Sequence, residues 1–259
     1  MLLAIDIGNT NITIGGIKDD QIVFEARIAT DRIKTSDQYG ADIKNMLNLF
    51  DVKVEDIKDC IIASVVPPVF NAVRTGVVKA IGKQPMVVGP GIKTGLNIQV
   101  DNPSQVGSDR IVIAVAALAE YKPPLALMDL GTATTIEIVD ENCSYIGGCI
   151  LPGVRVSLDA LTSRTSQLPG INLDQPKKVI GKNTVDCMRS GIMHGTAAML
   201  EGLVERMEEE LGYKTTVIAT GGIAQFIVPL CKRDIKLERD LLLKGLNIIY
   251  KKNMQDKHR

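Results

Sequence analysis

The alternation of apolar and polar residues predicts a β-hairpin at the start of the chain. Residues 2–7 form an apolar, β-prone run that contains Asp6 near its end, which is typical of a buried strand. Gly8 and Asn9 predict a tight turn with a left-handed backbone, a conformation that both residue types tolerate. Residues 11–17 then alternate polar and apolar side chains, which indicates a second strand returning antiparallel to the first.

The same pattern returns in the second half of the chain. Residues 125–138 contain an apolar strand, Asp129, Gly131, a threonine-rich turn and another alternating strand. Small turn residues with N–H groups and hydroxyls, beside a carboxylate, can hold a phosphate together with its Mg²⁺. Either copy alone could equally be an ordinary hairpin with an exposed Asp. The two matched copies indicate a duplicated pair of phosphate-binding hairpins.

The remaining pattern predicts further strands and helices in a recognisable order. Three strands followed by helix, strand, helix and strand is, by analogy, the order of the ribonuclease-H-like half-domain of the sugar-kinase and actin superfamily. We therefore predict an α/β fold of two ribonuclease-H-like (actin-like ATPase) domains, residues 1–121 and 122–259, related by internal duplication with a cleft between them. Strands are predicted over residues 21–30, 60–66, 86–88, 145–151 and 215–219, and helices over residues 69–81, 110–121, 190–211 and 237–250. Another helix is predicted after a capping box formed by Thr35 and Gln38. The charged tail over residues 251–259 is predicted to be frayed.

Composition excludes several classes of function. Lys plus Arg and Asp plus Glu number 30 each, and Trp is absent, so neither a basic surface nor a stacking platform for nucleic acid is expected. The apolar runs are too short to span a bilayer, and no secretion signal is expected. Five scattered cysteines without a CxxC pair argue against a zinc site or a disulfide framework. A cytoplasmic protein is the simplest expectation.

Two further motifs could carry chemistry. Gly107-Ser108-Asp109-Arg110 precedes an apolar helix, so Asp109 lies in a first helical turn, where the helix dipole favours the ionised carboxylate. That carboxylate could take a proton from an alcohol attacking phosphorus, and Arg110 could bind a carboxylate; a capped helix with a surface ion pair is the alternative. Thr220-Gly221-Gly222, between a predicted strand and helix, would let adenine or ribose approach the backbone, or would form a simple turn.

Other catalytic signatures do not occur in the sequence. His194 at the start of an apolar helix is interpreted as a packed or capping residue, and His258 lies in the tail. The chain shows no Ser-His-Asp constellation, no Walker motif and no Gly-x-Gly-x-x-Gly fingerprint.

Together, these motifs resemble the motif set of type III pantothenate kinase, in order and spacing from Met1 to about Tyr250. Members of that family are bacterial homodimers that phosphorylate pantothenate with ATP in the first step of coenzyme A synthesis. The resemblance implies a cytoplasmic enzyme with pantothenate as its small-molecule substrate, ATP with Mg²⁺, and a monovalent cation, K⁺ or NH₄⁺. The four motifs are Asp6-Ile7-Gly8-Asn9-Thr10, Gly107-Ser108-Asp109-Arg110, Asp129-Leu130-Gly131-Thr132-Ala133-Thr134 and Thr220-Gly221-Gly222.

The resemblance also implies a role for each site residue. Asp109 would be the general base, Arg110 would bind the pantothenate carboxylate, Asp129 would ligate the monovalent cation, and Asp6 would face Mg²⁺. Thr184 would reach the substrate at the subunit interface. ATP would be bound by Asp6, Gly8, Asn9, Thr10, Asn11, Thr13, Gly131, Thr132, Gly221 and Gly222, and pantothenate by Gly107, Ser108, Arg110 and Thr184.

One departure from the family pattern concerns the substrate pocket. Many members have Tyr two positions before the Asn-Pro of the substrate loop, where this chain has Val100.

The sequence also leaves two alternative functions open. One is a regulator that binds nucleotide without catalysis, and the other is a kinase of the same superfamily that acts on a different hydroxy acid.

Overall fold

A computed structural model describes the backbone of residues 1–257 and the side chains of residues 1–255. It contains strands and helices, with short 3₁₀ turns at Val54–Asp56, Pro103–Gln105 and Val228–Leu230. The strands are β1 (Leu2–Ile7), β2 (Asn11–Lys18), β3 (Gln21–Ala29), β4 (Asp59–Ser64), β5 (Met86–Val87), β6 (Asn97–Ile98), β7 (Leu125–Leu130), β8 (Ala133–Val139), β9 (Ser144–Pro152), β10 (Thr216–Thr220) and β11 (Lys236–Leu237). The helices are α1 (Ser36–Leu49), α2 (Pro67–Ile81), α3 (Ser108–Glu120), α4 (Val154–Ser163), α5 (Thr184–Leu211), α6 (Ala224–Ile227) and α7 (Leu241–Lys257).

The first compact unit contains a five-stranded mixed sheet with the strand order β3-β2-β1-β4-β5. β1 alternates its side chains between two buried faces, because both sides of the sheet are covered by helices. Leu3, Ile5 and Ile7 pack with α1 and α2, whereas Leu2 and Ala4 pack with α3 and α7. A strand buried on both faces is a continuous apolar run in sequence, and for this reason Asp6 stands out within it.

The second compact unit contains a six-stranded sheet with the order β11-β10-β7-β8-β9-β6. Ala126, Met128 and Leu130 of β7 face the long helix α5, which contributes Met193, Leu200 and other apolar side chains. The intervening positions of β7, including Asp129, therefore face the other side of this sheet.

The two sheets repeat the same topology, which confirms the predicted duplication. The order β3-β2-β1-β4-β5 in the first sheet corresponds to β9-β8-β7-β10-β11 in the second. The directions also match, since each sheet begins with two antiparallel pairs and continues with two parallel pairs. The predicted α/β fold of the actin-like ATPase type is thus confirmed.

Several predicted elements differ in their bounds. The long helix α5 begins at Thr184 instead of residue 190, so His194 lies inside it and caps nothing. α7 continues to Lys257, so the prediction of a frayed tail was wrong over residues 251–257, and His258 lies outside the described residues. α4 was not predicted, because its segment is rich in Ser, Thr and Arg. The capping box of Thr35 and Gln38 is present as predicted.

The compact units do not follow a single cut in the sequence. Residues 97–100 lie in the second unit, whereas the last helix, α7, lies in the first unit. There Leu243, Leu246 and Ile249 of α7 pack with β1 and β4. The division into two domains, residues 1–121 and 122–259, therefore stays a prediction, and the cleft between them does too. No helix within residues 1–257 is both long and apolar enough to cross a membrane.

Candidate active site

The first hairpin places a buried carboxylate at the end of β1. Asp6 is buried and lies opposite Thr13 of β2 and beside Ala63 of β4. Directly opposed residues of an antiparallel pair share one face of the sheet, so the side chains of Asp6 and Thr13 are neighbours. The alternation of β1 places Asp6 on the same face as Leu2 and Ala4, the face that α3 covers.

The turn of this hairpin differs from its prediction in one respect. Gly8 and Asn9 are not among the described residues with positive φ, so the expected left-handed backbone was wrong. Space is tight at Gly8 instead, because a Cβ there would lie 3.0 Å from the carbonyl oxygen of Asn11. The Gly8 N–H donates to that same carbonyl, and Asn9, Thr10 and Asn11 are exposed at the tip.

The Gly107-Ser108-Asp109-Arg110 motif is attached to the end of β4. The Ser108 hydroxyl donates to the carbonyl of Ser64 over 3.0 Å and accepts from the Ser64 N–H over 3.1 Å. Ser64 is paired with Ile7, and the next N–H, that of Val65, donates to the Ile7 carbonyl. The first turn of α3 therefore begins at the carboxyl ends of β4 and β1, on the face that carries Asp6.

The carboxylate of Asp109 lies close to its own backbone. Its Oδ1 accepts the N–H of Arg110 over 2.8 Å, and a Cβ on Gly107 would come within 2.5 Å of the same oxygen. A glycine at position 107 thus leaves room for this carboxylate. The sequence predicted a substrate contact for Ser108, and that contact stays a prediction, since the described bonds of its hydroxyl position the helix.

The second hairpin brings Asp129, Gly131 and Thr132 together at the end of β7. Asp129 lies opposite Thr135, as Asp6 lies opposite Thr13 in the first hairpin. The Gly131 N–H donates to the carbonyl of Ala133, so this turn is one residue shorter than the first. The shorter turn places the threonine opposite the acid six positions after it in the second hairpin, instead of seven positions as in the first.

Gly221 packs directly against this second hairpin. Thr220 is the parallel partner of Asp129, and Gly221 adopts φ of 95°, which only glycine adopts readily. A Cβ at Gly221 would lie 2.6 Å from both the Asp129 Oδ1 and the Leu130 carbonyl oxygen. Two oxygen atoms therefore converge beside Gly221, in a space that any larger residue would fill.

A small pocket opens directly after Gly222. Its volume is about 260 Å³, and its lining combines apolar side chains, among them Leu158, Ile223 and Phe226, with the polar groups of Arg155, Asp159 and Asn172. A concave site with both apolar walls and polar groups can receive a small organic ligand.

Thr184 is the exposed first residue of α5. The helix is capped by Asn183, whose side-chain oxygen accepts the N–H of Asp186 over 2.9 Å. The described contacts of this turn involve neighbouring residues, such as Gly181 against Cys187, and do not connect Thr184 to Asp129. The predicted substrate contact of Thr184 stays a prediction.

A buried carboxylate connects the end of α5 to the strand that leads into Thr220-Gly221-Gly222. The Glu208 carboxylate accepts hydrogen bonds from the N–H and from the hydroxyl of Thr215, each over 2.9 Å. It also forms ion pairs with Arg233 and Lys214. Burial disfavours its ionised form, but the bonds from Arg233, Lys214 and Thr215 outweigh burial and lower the pKa of Glu208 to about 2. The folded protein thus holds this group as a carboxylate.

We expect Glu208→Gln to lower the free energy of unfolding at pH 7 by about 3 kcal/mol, because it leaves Arg233 beside an uncharged buried partner. Since the pKa of Glu208 is lower in the folded protein than in the unfolded chain, its contribution to stability is complete above about pH 4.5 and is lost as the pH falls toward 2. Urea unfolding between pH 7 and pH 3 should therefore show a weaker pH dependence in Glu208→Gln. Glu210→Gln, at an exposed position of the same helix, is the control, and an equal pH dependence in both variants would contradict the prediction.

Known proteins resemble this chain over most of its length. The family model for type III pantothenate kinase matches residues 2–206. A type III pantothenate kinase from Exiguobacterium sp. is 45% identical over 255 residues, which cover 98% of this chain and all of the relative.

Solved structures show the same fold at low sequence identity. A protein from Campylobacter jejuni, described as a conserved Baf family transcriptional activator, has a TM-score of 0.62 at 18% identity and covers 98% of this chain and 99% of its own. A protein from Sinorhizobium meliloti, assigned as a 2-dehydro-3-deoxygalactonokinase, also has a TM-score of 0.62, at 10% identity, with 97% and 96% covered. These two likenesses show the fold alone. The family match and the full-length relative show more, and the chain belongs to the type III pantothenate kinase family.

Proposed function

We propose that this protein transfers the γ-phosphoryl group of ATP to the hydroxyl of pantothenate, giving 4′-phosphopantothenate in the first step of coenzyme A biosynthesis. The observation that carries the proposal is the meeting of Asp6 and the Asp109 turn at the carboxyl ends of β1 and β4, on one face of the sheet. Family membership supplies the acceptor.

In the first unit, the exposed turn Gly8–Asn11 and Thr13 would hold the ATP phosphates. Asp6 would face the Mg²⁺ that accompanies ATP, and its position suits this role because hard cations prefer carboxylate oxygen. Gly107, Ser108 and Arg110 would hold pantothenate, with the planar guanidinium of Arg110 on its carboxylate.

In the second unit, Gly131 and Thr132 would contact the phosphates, while Gly221 and Gly222 would border the nucleoside. The pocket of about 260 Å³ lined by Ile223 supports this assignment, because it follows the glycines in sequence and combines apolar walls with polar groups. Asp129 would ligate the monovalent cation, and the two oxygens that converge beside Gly221 are the ligand type that an alkali cation prefers.

In the proposed reaction, the pantothenate oxygen forms a bond to the γ-phosphorus while the bond between that phosphorus and the β–γ bridging oxygen breaks. ADP leaves, and the hydroxyl proton passes to the carboxylate of Asp109. An ionised Asp suffices as base because the proton transfer comes late in a loose transition state. Such a reaction needs positioning and charge neutralisation more than covalent chemistry, which suits a site of carboxylates, hydroxyls and one Arg.

We also propose that the protein is a cytoplasmic homodimer. Exposed apolar side chains on the second unit support an interface, since Ile150, Val179 and Ile180 are each more than 60% exposed. Thr184, which follows the last two of these closely in sequence, would then contact pantothenate at that interface.

The deciding experiment measures ADP release by the purified protein with Mg·ATP and K⁺, with and without pantothenate. We expect ADP release that depends on pantothenate and produces one phosphorylated acceptor per ADP. A panel of other hydroxy acids serves as the control for the acceptor. Faster turnover of another acid would replace pantothenate as the substrate, and ADP release that no acceptor stimulates would contradict the proposal.

A further inference from the structure

The residue that follows β3 holds the turn of the first hairpin. The hydroxyl of Thr30 donates to the carbonyl of Gly8 over 2.6 Å, and the Thr30 N–H donates to the carbonyl of Thr10 over 3.0 Å. One residue outside the hairpin thus engages two of its turn carbonyls, from the side of the neighbouring strand.

These two bonds determine which way the turn presents its N–H groups. In a trans peptide the carbonyl and the N–H of the next residue point in opposite directions. With the Gly8 and Thr10 carbonyls drawn toward Thr30, the N–H groups of Asn9 and Asn11 point away from it. N–H groups that face an anion attract it, whereas carbonyl oxygens in their place would repel it.

The residue after Thr30 is held by a buried side chain. The hydroxyl of Tyr39 donates to the carbonyl of Asp31 over 2.6 Å and accepts the Asp31 N–H over 3.0 Å. Tyr39 is fully buried in α1, whose start is capped by Thr35 and Gln38. The core of the first unit therefore holds the residue next to Thr30 through both of its backbone groups.

The second sheet repeats one of these two bonds, the one made by the backbone N–H. Gly153 follows β9 as Thr30 follows β3, and its N–H donates to the carbonyl of Thr132 over 3.1 Å. A Cβ at Gly153 would overlap the carbonyl oxygens of Thr132 and Gly131, so glycine supplies the N–H where no side chain fits. This recurring bond continues the strand pairing of each sheet, whereas the hydroxyl bond that Thr30 makes to Gly8 has no counterpart at a glycine.

We propose that Thr30 is a positioning residue for nucleotide phosphates, which acts by turning the N–H groups of Asn9 and Asn11 away from β3. Tyr39 supports it through Asp31. The inference rests on the proposed function in that the phosphates belong to Mg·ATP. It assigns a role to a residue that lies outside the four motifs.

Thr30→Val keeps the shape of the side chain and removes its hydroxyl. We expect about tenfold weaker binding of Mg·ATP by calorimetry and a similar rise in KM for ATP, with KM for pantothenate within about twofold. Thr30→Ser restores the hydroxyl and should return both values to near wild type. Thr75→Val, at an exposed position on α2, is the matched control.

Hydrogen exchange separates this inference from the proposed function, because it needs no substrate. In Thr30→Val, the peptide covering Gly8–Asn11 should exchange its amide hydrogens faster than in the wild type. Tyr39→Phe is the substitute variant should Thr30→Val fail to fold, and we expect it to show a smaller increase in the exchange rate of the same peptide. Absence of acceptor-dependent turnover in the wild type would defeat the proposed function alone. The role of Thr30 would be overturned by unchanged exchange of the turn or by unchanged affinity for Mg·ATP in folded Thr30→Val. An equal rise in KM for ATP and for pantothenate would overturn it as well.

Discussion

Asp109→Asn is expected to lower kcat by about a thousandfold and to leave the affinity for Mg·ATP within about twofold of wild type. General bases contribute roughly 10²- to 10⁴-fold to rate, and a carboxamide of the same shape cannot accept the hydroxyl proton. The carbonyl oxygen of the Asn can still accept the N–H of Arg110, as the Oδ1 of Asp109 does. The change therefore removes the base with little effect on the first turn of α3.

The measurement pairs steady-state kinetics with calorimetric binding of Mg·ATP. Asp101→Asn is the matched control, since Asp101 is exposed in the segment that precedes α3 and should keep normal turnover. Near-normal kcat in Asp109→Asn would remove Asp109 as the base. A loss of ATP affinity as large as the loss of kcat would show that Asp109 acts in nucleotide binding.

The sequence predicted the hairpins because their residues are consecutive. A carboxylate, a glycine and hydroxyl side chains within one turn are visible as a pattern, and the repetition of that pattern indicated the duplicated fold. The residues that support the hairpins are distant in sequence and carry no such pattern. Thr30 is an ordinary threonine at the end of a strand, and Ser64 is recognisable only through its bonds to Ser108.

Helical periodicity shows that a face is buried but does not show what covers it. The apolar positions of α7 were visible in the sequence, yet only the structure shows that they pack with β1 and α3 of the first unit. The same limit applies to residues 97–100, whose strand β6 is only two residues long. Its pairing with β9 depends on a distant edge and not on local preference.

Replacing K⁺ with tetramethylammonium is expected to lower kcat by about a hundredfold or more. The turn of the second hairpin lacks the lysine of a P-loop, so a bound K⁺ would supply the missing positive charge near the phosphates. Removing one preorganised group of this kind costs roughly 10²- to 10³-fold in rate. The structure offers an oxygen pair for such an ion, formed by the side chain of Asp129 and the carbonyl of Leu130 beside Gly221.

The role of Asp129 is tested by combining the cation change with Asp129→Asn. If Asp129 ligates the cation, the variant should be slow in both salts, and the ratio of its rates in K⁺ and in tetramethylammonium should fall to about one. Thermal unfolding gives a second readout that needs no turnover, because K⁺ should raise the Tm of the wild type and not that of Asp129→Asn. Glu141→Gln, at an exposed position after β8, should keep the full dependence on K⁺. Equal rates of the wild type in the two salts would remove the cation from the mechanism, and an undiminished ratio in Asp129→Asn would place the cation elsewhere.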